Sequence, residues 1–154
     1  MVVEWQRDDY LLSTDPDAVD IDVVHTFLRE SYWARGIPLT VVQRSLAHSL
    51  NFSLLHAQQL IGFARVITDY ATFAYIGDVF VLPDHRGQGL ATWMMQCILA
   101  HPELQGLRRW CLLTRDAQPV YARVGFAPSP TPENWMEKLD PAVYQRGNDQ
   151  QHPA

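Results

Sequence analysis

YIGDVFVLPDHRGQGLATWMM, residues 75–95, contains three successive patterns. An apolar run over 75–82 predicts a buried strand, a polar segment with two glycines predicts a turn, and the chain from Leu90 onward predicts an amphipathic helix. Glycine lets a loop backbone approach a ligand closely, and the helix that follows aims unpaired N–H groups and the positive end of its dipole at one place. The stretch therefore predicts a cradle for an anion, and a phosphate group fits it.

Two common phosphate-binding loops do not match these residues. The loop lacks the Gly-Lys-Ser/Thr ending of a nucleotide P-loop, and Gly87 and Gly89 do not supply the three-glycine dinucleotide fingerprint. What remains is Arg86-x-x-Gly89-x-Ala91, placed directly after a strand and Pro83. This hexad resembles the acetyl-CoA signature of the GNAT superfamily of acyl-CoA-dependent N-acyltransferases.

A second segment extends the resemblance. Residues 116–126, DAQPVYARVGF, are similar to the closing helix of that family, which carries a tyrosine just before a Gly-Phe turn; here these are Tyr121 and Gly125-Phe126. The spacing from the glycine loop leaves room for one helix and one strand, as the family requires. The resemblance thus covers roughly residues 60–127.

Length and composition indicate one globular domain. The chain has 154 residues, of which 47% are hydrophobic and 19% charged, so it can bury a proper core and is not disordered. Its net charge of -5 disfavours a nucleic-acid substrate. We expect a single domain over residues 1–145 and a polar C-terminal tail over 146–154.

Two cysteines, Cys97 and Cys111, form neither a disulfide framework nor a metal-ligand spacing. We expect both to be reduced packing residues, and no metal site. The N-terminus has no basic region followed by an apolar run, and no stretch is long enough to span a bilayer. These patterns predict a cytoplasmic protein that does not bind membranes.

The rest of the chain predicts the remaining elements of the fold. The expected strands cover residues 10–14, 52–56, 60–68, 110–114 and 135–139, besides the central strand at 75–82. The expected helices cover a segment capped by Asp20, then 39–50 with Thr40 as a possible cap, 90–101 and 117–124.

These elements predict an α/β (α+β) fold. It has a mixed, mostly antiparallel central sheet of about six to seven strands, flanked by about four helices, as in GNAT proteins. The helix between the central strand and 110–114 requires these two strands to be parallel. Ligands of open α/β sheets lie beyond the carboxyl ends of such strands, which is where the glycine loop is expected.

The resemblance implies how acetyl-CoA is held. The pyrophosphate would take N–H groups of the loop and the charge of Arg86, and the thioester arm would lie along the central strand, where backbone donors polarise its carbonyl. Such a donor stabilises an oxyanion by about 3 kcal/mol. The cofactor residues implied are Val79, Phe80, Val81, Arg86, Gly87, Gln88, Gly89, Leu90, Ala91, Thr92 and Asp116.

The resemblance makes Tyr121 the general acid that protonates the departing thiolate; the alternative is a buried tyrosine that only hydrogen-bonds. Asp78 is the one carboxylate on the central strand, and an acid among apolar neighbours is costly to bury unpaired. It is a candidate base acting through a water, an anchor for a cationic substrate, or a partner of loop N–H groups or an arginine. A bulge in the central strand would determine which face of the sheet the Asp78 side chain lies on.

The acyl acceptor has weaker sequence signals. By resemblance, the loop between the first two helices covers the acceptor pocket, which makes Tyr32 and Trp33 candidates to line it. Phe73 and Tyr75 lie on one face of the central strand, and Arg65 and Arg115 are cations that can hold a carboxylate. The complete set of acceptor candidates is Tyr32, Trp33, Arg65, Phe73, Tyr75 and Arg115. The histidines His25, His48, His56, His85 and His101 are scattered, and we expect them to be non-catalytic.

The expected function is N-acetyl transfer from acetyl-CoA to a primary amine of a small molecule or peptide by direct attack. One alternative is a non-catalytic acyl-CoA-binding module or sensor that retains the cradle, and another is a nucleotide-binding regulator. The sequence leaves the acceptor and the oligomeric state open, although a homodimer is possible because many relatives are dimers.

Overall fold

The computed structural model of the protein describes the backbone of residues 1–150 and the side chains of residues 1–146. The last residues of the expected polar tail, 151–154, lie outside the described residues. A single sheet has the strand order β1-β2-β3-β4-β5-β6. The strands are β1 (Glu4–Arg7), β2 (Tyr10–Ser13), β3 (Leu50–His56), β4 (Gln59–Thr68), β5 (Phe73–Val81) and β6 (Arg109–Leu112).

The sheet is antiparallel from β1 to β5, and β6 runs parallel to β5. This confirms the mixed sheet and the parallel pair predicted from the sequence. Because direction alternates up to β5, the carboxyl ends of β1, β3, β5 and β6 all lie at one edge. The loops that leave those four strands can therefore meet there.

Within residues 1–150, five helices cover the two faces of the sheet. They are α1 (Ile21–Glu30), α2 (Leu39–Ala47), α3 (Leu90–Leu99), α4 (Gln118–Ala122) and α5 (Val143–Gln150). On one face α3 buries Met94, Met95 and Ile98 against the sheet. On the other face α1 and α2 pack around Phe63 and Phe80.

Helix starts follow the sequence where a side chain caps them. The Asp20 carboxylate accepts hydrogen bonds from the backbone N–H of Asp22 and Val23, so the predicted cap of α1 is confirmed. The predicted start of α2 at Leu39 is confirmed, but its cap and its end were wrong. Pro38 occupies the cap position without a side-chain bond, and Leu50 begins β3 instead of ending the helix. Thr40 is therefore not a cap.

Two strand predictions need correction. The N-terminal segment contains two strands, β1 and β2, joined by a tight turn at Asp8, whereas the sequence had predicted one. The alternation of Trp5 with Glu4 and Gln6 was the signal for the first. The predicted final strand at 135–139 is absent: the segment follows a 3-10 turn, and Met136 is 94% exposed. Its apolar residues do not alternate, and prolines flank it, so it cannot offer one buried face to β6.

The predicted tail begins inside a helix, since α5 extends through Arg146 to Gln150. Cys97 and Cys111 are free thiols, and burial raises the pKa of each. Of the helices in the described part of the chain, none combines the length and the apolar character that a bilayer crossing requires.

Candidate active site

A gap opens between the two parallel strands. The pairing of β5 with β6 begins at Phe73 opposite Arg109 and ends at Ile76 opposite Leu112. Strand β5 continues to Val81, so its last five residues have no β6 partner on that side. This half of β5 keeps backbone N–H and C=O groups available at the edge of the sheet where the loops meet.

A bulge in β5 lies beside the gap. Phe63 of β4 pairs with Phe80, but Arg65 pairs with Gly77, so two residues of β5 face one of β4. Asp78 has φ +53°, a left-handed conformation that few residues other than glycine and asparagine adopt readily. The bulge predicted as a possibility is therefore present, and it turns the Asp78 side chain toward the face of α1 and α2.

The Asp78 carboxylate is paired. Its Oδ2 accepts from Nε of Arg65 at 2.7 Å, and its Oδ1 accepts from Nε1 of Trp33 at 2.9 Å. The Arg65 and Asp78 side chains are only 17% and 10% exposed, and Arg65 also donates to Oγ of Ser49 at 3.1 Å. Of the three roles open at the sequence level, this geometry is that of a carboxylate held by an arginine.

Three phenols lie near one another at the gap. Burial raises the pKa of Tyr121 to about 12, and Tyr32, Tyr75 and Asp116 add to this by their negative charge when ionised. Burial also raises the pKa of Tyr75, which lies near Cys111, Asp78 and Arg65. Tyr121 is half-buried beside Phe126, with ring centroids 6.1 Å apart. A phenol in this setting stays protonated at neutral pH and can act as a proton donor.

Tyr32 and Arg115 connect two loops near the gap. The backbone N–H of Arg115, after β6, donates to the Tyr32 hydroxyl at 3.2 Å, and the Arg115 guanidinium carbon lies 3.8 Å from the centre of the Tyr32 ring. Tyr32 and Trp33 meet edge to face at 5.1 Å. The loop between α1 and α2 therefore touches the loop between β6 and α4.

The glycine loop leads directly into α3, so the predicted order of strand, loop and helix is present. Gly87 and Gly89 have φ of +80° and +75°, which explains glycine at both positions, and α3 begins directly after Gly89 without a side-chain cap. The first N–H groups of α3, those of Leu90, Ala91 and Thr92, thus have no intrahelical partner. Their common direction suits an anion.

Arg86 is placed differently from the expectation. Its backbone N–H bonds to the Pro83 carbonyl at 3.2 Å and is not free for a ligand. Its side-chain Nε donates to the Val81 carbonyl at 2.8 Å, which ties the loop to the end of β5. The two terminal amino groups of the guanidinium lie outside this bond.

Two predicted residues are not brought into this group. Phe73 is the first residue of β5 and lies five positions before Asp78, at the other end of the strand. In the described part of the chain, Asp116 makes no hydrogen bond or ion pair with the glycine loop; its carboxylate is 66% exposed and lies 4.0 Å from the Arg115 guanidinium, near Tyr121. Five residues of extended strand span about 17 Å, which separates Phe73 from Asp78 although Phe73 is only two positions from Tyr75.

Sequence reasoning missed three contributors. Ser49 holds Arg65, Tyr144 of α5 lies near Asp78 and Arg65, and Arg7 of β1 contacts the glycine loop. The only sequence signal for them is an isolated polar or aromatic residue in an ordinary element. Among the described residues, no group of three or more His, Cys, Asp or Glu side chains is placed to hold a metal ion.

Comparison with known proteins gives consistent matches. The sequence profile described as the acetyltransferase (GNAT) family matches residues 2–126. A Gibberella zeae protein assigned provisionally as an acetyltransferase is 32% identical over 142 residues, covering 77% of this chain and 79% of the relative.

Solved structures share the fold. One from Xanthomonas campestris, assigned provisionally to the GNAT family of acetyltransferases, is 49% identical with a TM-score of 0.85 over 88% of this chain and 96% of its own. Another, from Clostridium acetobutylicum, described as an acetyltransferase with acetyl-CoA, is 19% identical with a TM-score of 0.62 over 90% of this chain and 96% of its own. This second likeness concerns the fold alone.

Proposed function

The chain belongs to the GNAT family of acetyltransferases, and we propose that it transfers an acetyl group from acetyl-CoA to a primary amine of a small molecule or peptide by direct attack. The observation that carries the proposal is a half-buried phenol, Tyr121, near Tyr32 and Tyr75, where the pairing of β5 with β6 ends beside Tyr75. The enzyme is cytoplasmic in this proposal, acts without a metal or nucleic acid, and can form a homodimer.

The residues of this chain fit acetyl-CoA at two places. The N–H groups of Gly87 to Thr92 and the free end of the Arg86 guanidinium suit a pyrophosphate. An added Cβ at Gly87 would meet no atom within 4 Å, so the loop is open on its outer side. The unpaired half of β5 suits an extended arm with amide groups, and the bound thioester supplies the activated acetyl group.

The residues around the gap have different roles in the acetyl transfer itself. Successive residues of a strand direct their N–H groups to opposite sides, so among Val79, Phe80 and Val81 the donors available to a carbonyl oxygen that gains negative charge are those not directed at β4. Tyr121 holds a proton on its hydroxyl and gives it to the departing sulfur. Asp78 already accepts two hydrogen bonds, so it anchors the Trp33 loop, and water accepts the proton that the ammonium group loses before attack.

The acceptor carries a carboxylate near its amine in this proposal. Arg65 is engaged by Asp78 and Ser49, whereas Arg115 is 66% exposed and uses the face of its guanidinium on the Tyr32 ring. Stacking leaves the edge N–H groups of a guanidinium directed outward, where they can take a carboxylate in a two-point contact. Arg115 is therefore the cation that selects the substrate.

Replacing Arg115 by alanine is expected to raise KM about tenfold for a carboxylate-bearing amine, because one charge-assisted contact is lost. The amide of the same compound should show no comparable change. The measurement is KM for each compound by release of free CoA. Arg108→Ala, at the opposite end of β6, is the matched control, and an equal rise for acid and amide would contradict the assignment.

Turnover distinguishes the enzyme from the alternative of a non-catalytic acyl-CoA-binding module. We expect the protein to release CoA from acetyl-CoA faster in the presence of amines from a panel that includes amino acids, their amides and short peptides. Mass spectrometry of the acceptor checks that it gains one acetyl group on nitrogen. Tight CoA binding without acceleration by any amine would favour the binding module, and protection by ATP but not CoA would favour a nucleotide-binding regulator.

A further inference from the structure

Arg7 lies on the edge strand β1 and contacts the glycine loop that follows β5. It is the last residue of β1, the edge strand, and its guanidinium donates to the Gln88 carbonyl at 2.9 Å and to the Gly89 carbonyl at 3.3 Å. These contacts join residues 81 and 82 positions apart in the chain. They are possible because β1 and β5 end at the same edge of the sheet, where the loop after β5 meets the end of β1.

The two contacts fix the direction of two peptide groups. A trans peptide unit is planar, so the C=O of one residue and the N–H of the next point in opposite directions. With the carbonyls of Gln88 and Gly89 turned toward Arg7, the N–H groups of Gly89 and Leu90 point away from it, toward the outer side of the loop. The Gly89 carbonyl also accepts from the N–H of Trp93, which aligns the same peptide with the axis of α3.

The neighbouring strand supports the loop in the same way. The Tyr10 hydroxyl, at the start of β2, lies 2.9 Å from Nδ1 of His85, and Nε2 of Gln88 lies 3.3 Å from the same hydroxyl. The Tyr10 ring also packs on His56, at the end of β3, with centroids 4.8 Å apart. Residues at the end of β1, the start of β2 and the end of β3 thus support the loop.

Position 89 lies directly against Arg7. An added Cβ there would lie in ordinary van der Waals contact with the two terminal nitrogens of Arg7, at 3.8 Å and 3.9 Å, so the left-handed φ of +75° and not lack of space explains the glycine. A loop with two glycines has many backbone conformations available when it is free. The two-point contact with Arg7 selects the one in which successive N–H groups converge.

We propose that Arg7 is a positioning residue for acetyl-CoA: its guanidinium orients the peptide groups of Gln88 and Gly89 so that the loop binds the pyrophosphate without prior rearrangement. The inference rests on the proposed function, since it assumes that the loop binds CoA. Arg7 acts through the loop, so its contribution appears in affinity for the pyrophosphate-bearing ligand and not in the acyl-transfer step.

The test is the dissociation constant for CoA, measured by isothermal titration calorimetry. Arg7→Met keeps the aliphatic part of the side chain and removes the guanidinium. We expect this variant to bind CoA about tenfold more weakly, because its loop must be ordered on binding. Arg7→Lys keeps the charge but offers one point donor, and it should recover only part of the loss. Arg44→Met, on the exposed side of α2, is the matched control and should bind as the wild type does.

A truncated substrate separates positioning from general damage. S-acetylpantetheine lacks the pyrophosphate, so kcat/KM for it should be the same in Arg7→Met and wild type. Full affinity for CoA in Arg7→Met, or in Arg7→Lys should the former not fold, would overturn the inference. Equal losses for CoA and S-acetylpantetheine would also overturn it. Failure of the wild type to bind CoA would instead overturn the proposed function.

Discussion

Replacement of Tyr121 by phenylalanine is expected to lower kcat for acetyl transfer by at least about 10²-fold, the usual contribution of a positioned general acid. KM for acetyl-CoA should change little, because the phenyl ring retains the packing against Phe126 and only the hydroxyl is lost. The measurement is steady-state release of CoA at saturating amine. Tyr70→Phe, which alters an exposed tyrosine in the turn before β5, is the control and should leave kcat unchanged.

The pH dependence gives a second measure of the same role. Burial raises the pKa of Tyr121 to about 12, so the folded protein keeps this phenol protonated across the neutral and moderately alkaline range. An acid with a raised pKa is lost only as the pH rises through that value, and kcat should therefore show no decrease from Tyr121 below about pH 11. A kcat in Tyr121→Phe equal to that of the wild type would assign Tyr121 to packing and leave the acid unidentified.

The sequence could predict what depends on local pattern. The apolar run at 75–82, the two glycines and the crossover helix determine the parallel pair and the cradle, because each follows from periodicity and backbone freedom within about 40 residues. The resemblance carried by Tyr121 and Gly125-Phe126 added the family.

The remaining features depend on contacts between distant segments. Which face Asp78 takes depends on a bulge, whose position is a property of the pairing of β4 with β5 and not of either strand alone. The contact of Arg7 with the loop requires the full strand order, since β1 and β5 are separated by three strands. Phe73 illustrates a different limit, because sharing a face with Tyr75 did not show which end of the strand carries the gap and the bulge.

Replacement of Arg65 by methionine is expected to lower the free energy of unfolding by about 3 kcal/mol, because it leaves the Asp78 carboxylate as a buried charge without a cation. Both side chains are largely shielded, at 17% and 10% exposed, so solvent cannot compensate. Chemical denaturation measures the change. Arg29→Met is the matched control: Arg29 pairs with Glu30 at 3.9 Å while 50% exposed, and its loss should cost less than about 1 kcal/mol.

The double variant Arg65→Met/Asp78→Asn distinguishes an anchor from a base. Asparagine tolerates the left-handed backbone at position 78, where φ is +53°, and can still accept from Trp33, while the unpaired charge disappears. The double variant should therefore be more stable than Arg65→Met and should retain turnover within about tenfold of the wild type. Loss of a general base costs about 10²-fold to 10⁴-fold in rate. A loss of that size in a folded double variant would mean that the Asp78 carboxylate takes the amine proton, and that Arg65 holds a catalytic group rather than a structural one.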